Sequence, residues 1–210
     1  MKLAILANDG LKEEWQSKPL NDVQIHWAKD VNDLASTGAE AFFHLGYEEE
    51  KSSIHQLARI TGPVFINSVI EALIDSEHLA AAQENCQLIR INAWPTFLKR
   101  DVTEICIADP FDESTVKEIF HGMGWKYRIV PDVPGMISPR VIAMIINEAY
   151  YTLHAGVSTK EEIDTAMKLG TNYPYGPFEW AEKIGLHRVS SLLQTLSKTD
   201  SRYMPAENFR

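Results

Sequence analysis

The chain has 210 residues, 45% of them apolar, and carries 20 basic and 29 acidic side chains for a formal charge of −9. That length allows one large domain or two small ones with a buried core, and that charge argues against a nucleic-acid surface, which needs clustered Lys and Arg. No stretch approaches the roughly 18 apolar residues that cross a bilayer, and the N-terminus patterns as a strand, so the expected setting is cytoplasmic, away from any membrane.

The first element is an apolar strand from Lys2 to Ala7 that runs into a turn and a polar helix. Dinucleotide-binding turns at this place carry three glycines, which leave backbone amides bare for a pyrophosphate. This turn has one, Gly10, beside Asn8 and Asp9, with Glu13 and Glu14 following. At about 4 Å and an effective dielectric near 20, each such carboxylate opposes a phosphate by about 4 kcal/mol.

Six further β-rich runs follow, "DVQIHWA", "EAFFHLGY", "PVFINSV", "QLIRINAW", "VTEICIAD" and "WKYRIV", alternating with helical or turn segments. That alternation predicts an α/β fold with a mostly parallel sheet. "KDVNDLASTG" leaves room for one or two helical turns, with Asp30 as the N-cap. "GYEEEKSS" reads as a solvated helix start whose acids suit the positive end of the dipole. Cys86 and Cys106 lie in or beside strand-like segments, which predicts buried free thiols, and the seven histidines show no ligand spacing.

After "IVPDVPGM" the pattern turns helical, placing a domain boundary between 1–133 and 134–210. Ser138 is the expected cap of a helix with Pro139 at its first position, ending at Gly156. Ser158 and Glu161 make a capping box for the next helix, whose stripe is Ile163, Ala166 and Met167 and which Gly170 closes. Pro177 starts and Gly185 ends a short helix, and Leu186, Val189, Leu192, Leu193 and Leu196 mark a last one. One-sided helices this thin predict packing against the sheet domain, a second copy, or both. Tyr173, Tyr175, Phe178 and Trp180 suit the core of a helix junction, with an acyl pocket as the alternative.

In order, Pro134 and Gly135, Asn147 and Glu148, then Gly170, Asn172, Pro174, Gly176 and Pro177 resemble the C-terminal domain of the 3-hydroxyacyl-CoA dehydrogenase family over more than seventy residues. Upstream of about residue 88 only the order of strands and helices carries the resemblance. It implies a shortened Rossmann-like, mostly parallel sheet that binds NAD, followed by an all-α domain of the 6-phosphogluconate dehydrogenase C-terminal type. It also implies a homodimer formed through the C-terminal helices and an acyl-CoA ligand.

The family's histidine base and its glutamate partner align without a gap on Asn92 and Glu104, or on Ile91 and Thr103 in a second registration. Its serine aligns on Val69 or, with a one-residue slip, on Ser68, and its asparagine on Pro139. An asparagine has no pKa suited to proton abstraction, so a base contribution of about 100-fold to 10,000-fold is missing from that position. Asp9 and Gly10 stand where the cofactor's phosphates would lie, and Asp30 where its ribose would. Two readings stay open: a family relative with lost or reduced NAD binding and catalysis that serves as a dimeric binding or scaffolding module, and an active NAD-dependent dehydrogenase oxidising a 3-hydroxyacyl-CoA in fatty-acid metabolism, with Asn92 and Glu104 working through a water.

Overall fold

The computed structural model describes residues 1–83, 86–107, 113–207 and 209, which divide into two compact units, Met1–Met136 and Ile137–Arg210. The ends of the runs "VTEICIAD" and "SRYMPAENFR" fall partly on residues outside these.

The first unit is built on β1 (Lys2–Leu6), β2 (Gln24–Ala28), β3 (Ala41–His44), β4 (Pro63–Ile66), β5 (Gln87–Ile91), β6 (Val102–Ile107) and β7 (Lys126–Ile129). These form one seven-stranded sheet in the order β2-β1-β3-β4-β5-β6-β7. Every pairing is parallel except β5 with β6, where Arg90 faces Cys106. The reversal follows from the connection: only ten residues, 92–101, separate these strands, too few for the helical crossover a parallel return needs. Between strands lie α1 (Asp9–Ser17), α2 (Val31–Ser36), α3 (Ile54–Leu57), α4 (Glu77–Gln83) and α5 (Glu113–Met123).

Alternation along each strand feeds two cores. One face sends Leu3, Ile5, Phe43 and Phe65 against Leu11 and Trp15 of α1 and Phe120 of α5. The other sends Ala4, Phe42, Val64 and Leu88 against Leu34, Leu57 and Leu79. Phe43 stacks on Phe65 with ring centroids 4.4 Å apart, and Trp15 meets Phe43 edge-on at 4.9 Å. Asp30 caps α2 as expected, its carboxylate accepting from the Asp33 amide at 2.8 Å. Both cysteines are buried free thiols.

Arg90, on β5, has no exposed surface. Its guanidinium donates to the carbonyls of Ser68, Val69 and Val133 and pairs with Asp132 at 2.5 Å. Asp132 also accepts from the amides of Leu73 and Ile74 at 3.0 Å. Burial works to raise the Asp132 carboxyl, but the two amides and Arg90 together hold it below the usual carboxylate range.

The second unit comprises α6 (Ser138–His154), α7 (Lys160–Thr171), α8 (Pro177–Ile184) and α9 (Leu186–Ser197). Three boundaries differ from those expected. Ser138 is already helical, and Ile137 occupies the cap position without a side-chain bond. The capping box is Thr159 with Glu162, one residue later than Ser158 with Glu161; Ser158 instead donates its hydroxyl to the Glu162 carboxylate at 2.6 Å. Gly170 stays within α7, because Asn172 adopts the left-handed conformation, φ 55°, that ends the helix.

The α7 stripe differs too. Ile163 is buried but Ala166 is exposed, and the second inward residue is Asp164. Its carboxylate accepts from the amides of Phe178 at 2.8 Å and Glu179 at 3.2 Å, so α7 supplies the N-terminal cap of α8. That approach requires Gly176, where a methyl group would overlap the Asp164 carboxyl. Around this joint Tyr150 packs on Phe178 and Phe209, and Tyr173 on Trp180, which makes the aromatic cluster a helix-junction core. Asn147 clamps the C-terminal segment, donating to the Met204 carbonyl at 2.9 Å and accepting from the Ala206 amide at 2.8 Å.

Gly176→Ala is therefore expected to cost about 2–4 kcal/mol by forcing Asp164 off two amides. Gly170→Ala, with open space around its Cα, should be neutral or stabilising by up to about 1 kcal/mol. Urea unfolding of the two variants side by side measures the contrast.

Candidate functional site

Open α/β sheets place ligands beyond the carboxyl ends of their parallel strands. Here that edge gathers the β1–α1 turn, the segment after β3, Asn67 and Ser68 after β4, and Asn92 to Thr96 after β5.

At the first turn of α1, Asn8 is the N-cap and its side-chain oxygen accepts from the Leu11 amide at 3.0 Å. The Lys12 amide is taken by the Asn8 carbonyl at 3.0 Å. Asp9 projects into solvent beside Lys12 at 3.5 Å, and Gly10 has only ordinary contacts around it. Two amides of a phosphate-type turn are thus spent on the turn itself, with a carboxylate at the mouth. Glu14 points elsewhere, accepting from the Thr96 amide at 2.6 Å.

The segment after β3 departs from the solvated helix start expected of "GYEEEKSS". Residues Tyr47–Glu49 form a 3-10 turn, Glu49 and Glu50 are exposed, and Glu48 folds inward. One Glu48 oxygen accepts from the amides of Val69 at 2.6 Å and Ile70 at 2.8 Å, and the other from the Trp94 indole at 2.6 Å. Burial pushes its carboxyl above the usual range, against the downward pull of those three bonds. An internal carboxylate thereby occupies the amides of the turn after β4. At the end of β3, His44 is 1% exposed, its ring nitrogens lack hydrogen bonds, and burial holds it down to about 4, hence neutral.

Asn67 is buried and accepts from the Ala93 amide at 3.1 Å, while the Ser68 hydroxyl donates to the Glu71 carbonyl at 2.9 Å. Asn92 is buried at the end of β5 and its side-chain amide donates to the Glu104 carboxylate of β6 at 3.4 Å. The antiparallel register makes this pair, since the Asn92 amide also donates to the Glu104 carbonyl at 3.0 Å. The Asn92 side-chain oxygen, the Thr96 hydroxyl and the second Glu14 oxygen are buried without a partner, which gives this edge unspent acceptors. Thr96 itself has φ 79°, third in a turn closed by the Phe97 amide on the Trp94 carbonyl with Pro95 second, a place that favours glycine.

The structure thus joins Asn92 to Glu104, gives Ser68 to a local turn, and leaves Asp9 and Gly10 at the mouth of α1 with Asp30 spent as a cap. Glu48 and Thr96 were not singled out for this edge from sequence, and Glu14, expected to oppose a phosphate, holds the Thr96 amide instead.

Residues 135–210 match the family model described as "3-hydroxyacyl-CoA dehydrogenase, C-terminal domain". A 3-hydroxybutyryl-CoA dehydrogenase of Bradyrhizobium diazoefficiens is 33% identical over 200 residues, covering 92% of this chain and 68% of the relative. A 3-hydroxyadipyl-CoA dehydrogenase of Escherichia coli is 42% identical over 103 residues, 47% of this chain and 22% of that one. Among solved structures, the (S)-3-hydroxybutyryl-CoA dehydrogenase of Ralstonia eutropha aligns with TM-score 0.71 at 18% identity, covering 100% of this chain and 92% of the other, which shows the fold.

Glu48→Ala is expected to lose about 2–4 kcal/mol in urea unfolding by stripping three donors of their acceptor, with Glu48→Gln losing less. For His44, an unfolded chain takes up a proton between pH 6.5 and about 4 that the folded chain refuses. The folded state therefore loses up to about 3 kcal/mol as pH falls through that window. His44→Phe should remove this loss; subtracting the variant's profile from the parent's isolates the imidazole from Glu48, whose raised carboxyl works with opposite sign.

Proposed function

The chain belongs to the 3-hydroxyacyl-CoA dehydrogenase family, and from that membership we propose that its ligand is a 3-hydroxyacyl-CoA thioester and its reaction the family's oxidation at the 3-hydroxyl. The observation that carries this reading is the 200-residue similarity to a relative named for that chemistry. In this reading the Asn92 side-chain amide donates to the reacting oxygen and Glu104, its hydrogen-bond partner at 3.4 Å on β6, receives the proton through a water. Bound NAD would supply the hydride acceptor. It does not fit the first turn of α1, where Asn8 holds the Leu11 amide and Asp9 stands at the mouth.

That same turn favours a second reading, a relative with diminished turnover that serves as a binding or scaffolding module. The C-terminal helices support self-association in either case: Ile145, Ala149, Ile163 and Met167 line an apolar groove between α6 and α7, and nearby Leu169 is 82% exposed.

Fluorescence titration with NADH separates the readings. Binding tighter than about 100 μM, over 5 kcal/mol, together with reduction of acetoacetyl-CoA, is expected of the dehydrogenase. Absence of both, with acyl-CoA still bound, leaves the module. Light scattering at micromolar concentration should give twice the monomer mass.

A further inference from the structure

On the first unit, the C-terminal end of α1, the β5–β6 connection and the start of β7 enclose a cavity of about 420 Å³. In a chain with nine more acids than bases, four cations, Lys18, Lys99, Arg100 and Lys126, gather among its nine lining residues against one acid, Asp101. We propose that this cavity is a binding site for a phosphate group, either free or carried as a small phosphoester, on the far part of the same β5–β6 connection that carries Asn92 to Thr96.

Lys18 is the core of it. The residue is 9% exposed, and its ammonium rests 4.0 Å above the Trp125 ring and donates to the Thr103 hydroxyl at 3.1 Å. No carboxylate bonds it directly among the described residues. Placing an ammonium in such surroundings is costly unless an anion arrives to pair with it. Burial pulls it down to about 8, with Asp101 working in the other direction, so it is charged at neutral pH and responds to an incoming anion.

Two helices end at this cavity, and cations gather at helix C-termini in general. Here five of the terminal carbonyls are already claimed. Phe120 accepts from the Trp125 amide, His121 from the Gly124 amide and the Asn21 side chain, and Met123 from the Asn21 amide. On α1 the Trp15 carbonyl accepts from the Lys18 amide and Glu14 from the Ser17 hydroxyl. Lys18 and Lys126 line the cavity beside those ends, and Arg100 lies within the electrostatic reach of Glu104. The cavity walls are also fixed in advance: the Trp125 indole donates to the Pro19 carbonyl at 3.0 Å, and Arg100 lies 4.0 Å over the Phe97 ring. A guanidinium fork and ammonium groups around one space match the several oxygens of a phosphate better than the two of a carboxylate.

Calorimetric titration of the full chain with sodium pyrophosphate, inorganic phosphate and adenosine 5′-monophosphate, each against sodium chloride at equal ionic strength, tests this. One saturable site is expected. Lys126→Ala, a surface change, should weaken it roughly tenfold, and Asp101→Asn should tighten it by a similar factor. Lys18→Met keeps the stem over Trp125 and should abolish it with the unfolding midpoint retained; if that variant does not fold, the two surface variants decide. Adenosine monophosphate binding more tightly than phosphate assigns an ester as the ligand, and equal affinity assigns the free ion. No saturable heat with any of the three, or affinity unchanged in both surface variants, overturns the proposal. Because Lys126 lies outside the Asn92–Glu104 edge, failure here leaves the dehydrogenase reading untouched.

Discussion

The fold of the first unit turns on a buried charge. Arg90 sits on the strand where the sheet changes direction, and its guanidinium spans the turn after β4, Asp132 and the Val133 carbonyl. Dehydrating a guanidinium and a carboxylate costs several kcal/mol each, so the pair is tolerable only because the donors of one and the acceptors of the other are matched by backbone groups. Removing either partner strands the other in a dry interior. The return for that cost is positional: the ends of β4 and β5 and the segment after β7 are held to one another, and these carry Asn67, Ser68 and Asn92.

The strand-end loops are cross-tied by two acids and an amide side chain. Glu48 holds the turn after β4 to Trp94, Asn67 holds Ala93, and Glu14 holds Thr96 from α1. In a sheet that accepts an anionic dinucleotide, such amides and this edge stay open. Here side chains of the protein use them. The tension between a relative named for dehydrogenation and an edge filled from within is therefore a property of identifiable atoms, and it is why the proposed reaction rests on Asn92 and Glu104 and not on the α1 turn.

Much of the fold was legible in the chain. All seven strands lie where β-branched and aromatic runs are bounded by turn residues, and the helical half follows from Pro, Gly and apolar spacing. Direction was not legible: periodicity is the same up or down a strand, so the antiparallel β6 rests on the shortness of its connection. Cap positions slipped by a residue or two because Ser158 and Thr159 are both competent, and because Asn172 can turn left-handed as Gly170 can. In the site, "YEEEKSS" gave three consecutive acids with nothing to distinguish Glu48 from its exposed neighbours. Which acid turns inward is decided by amides from a turn some twenty residues away, and no local pattern encodes that.

Asp164 has a consequence for dynamics in the second unit. Because the cap of α8 is lent by α7 and not by its own preceding residues, α8 cannot keep its first turn when α7 frays. The amides of Phe178 and Glu179 should then exchange with solvent deuterium at the rate of α7 opening, which makes the two helices one cooperative unit of local unfolding joined through a single carboxylate.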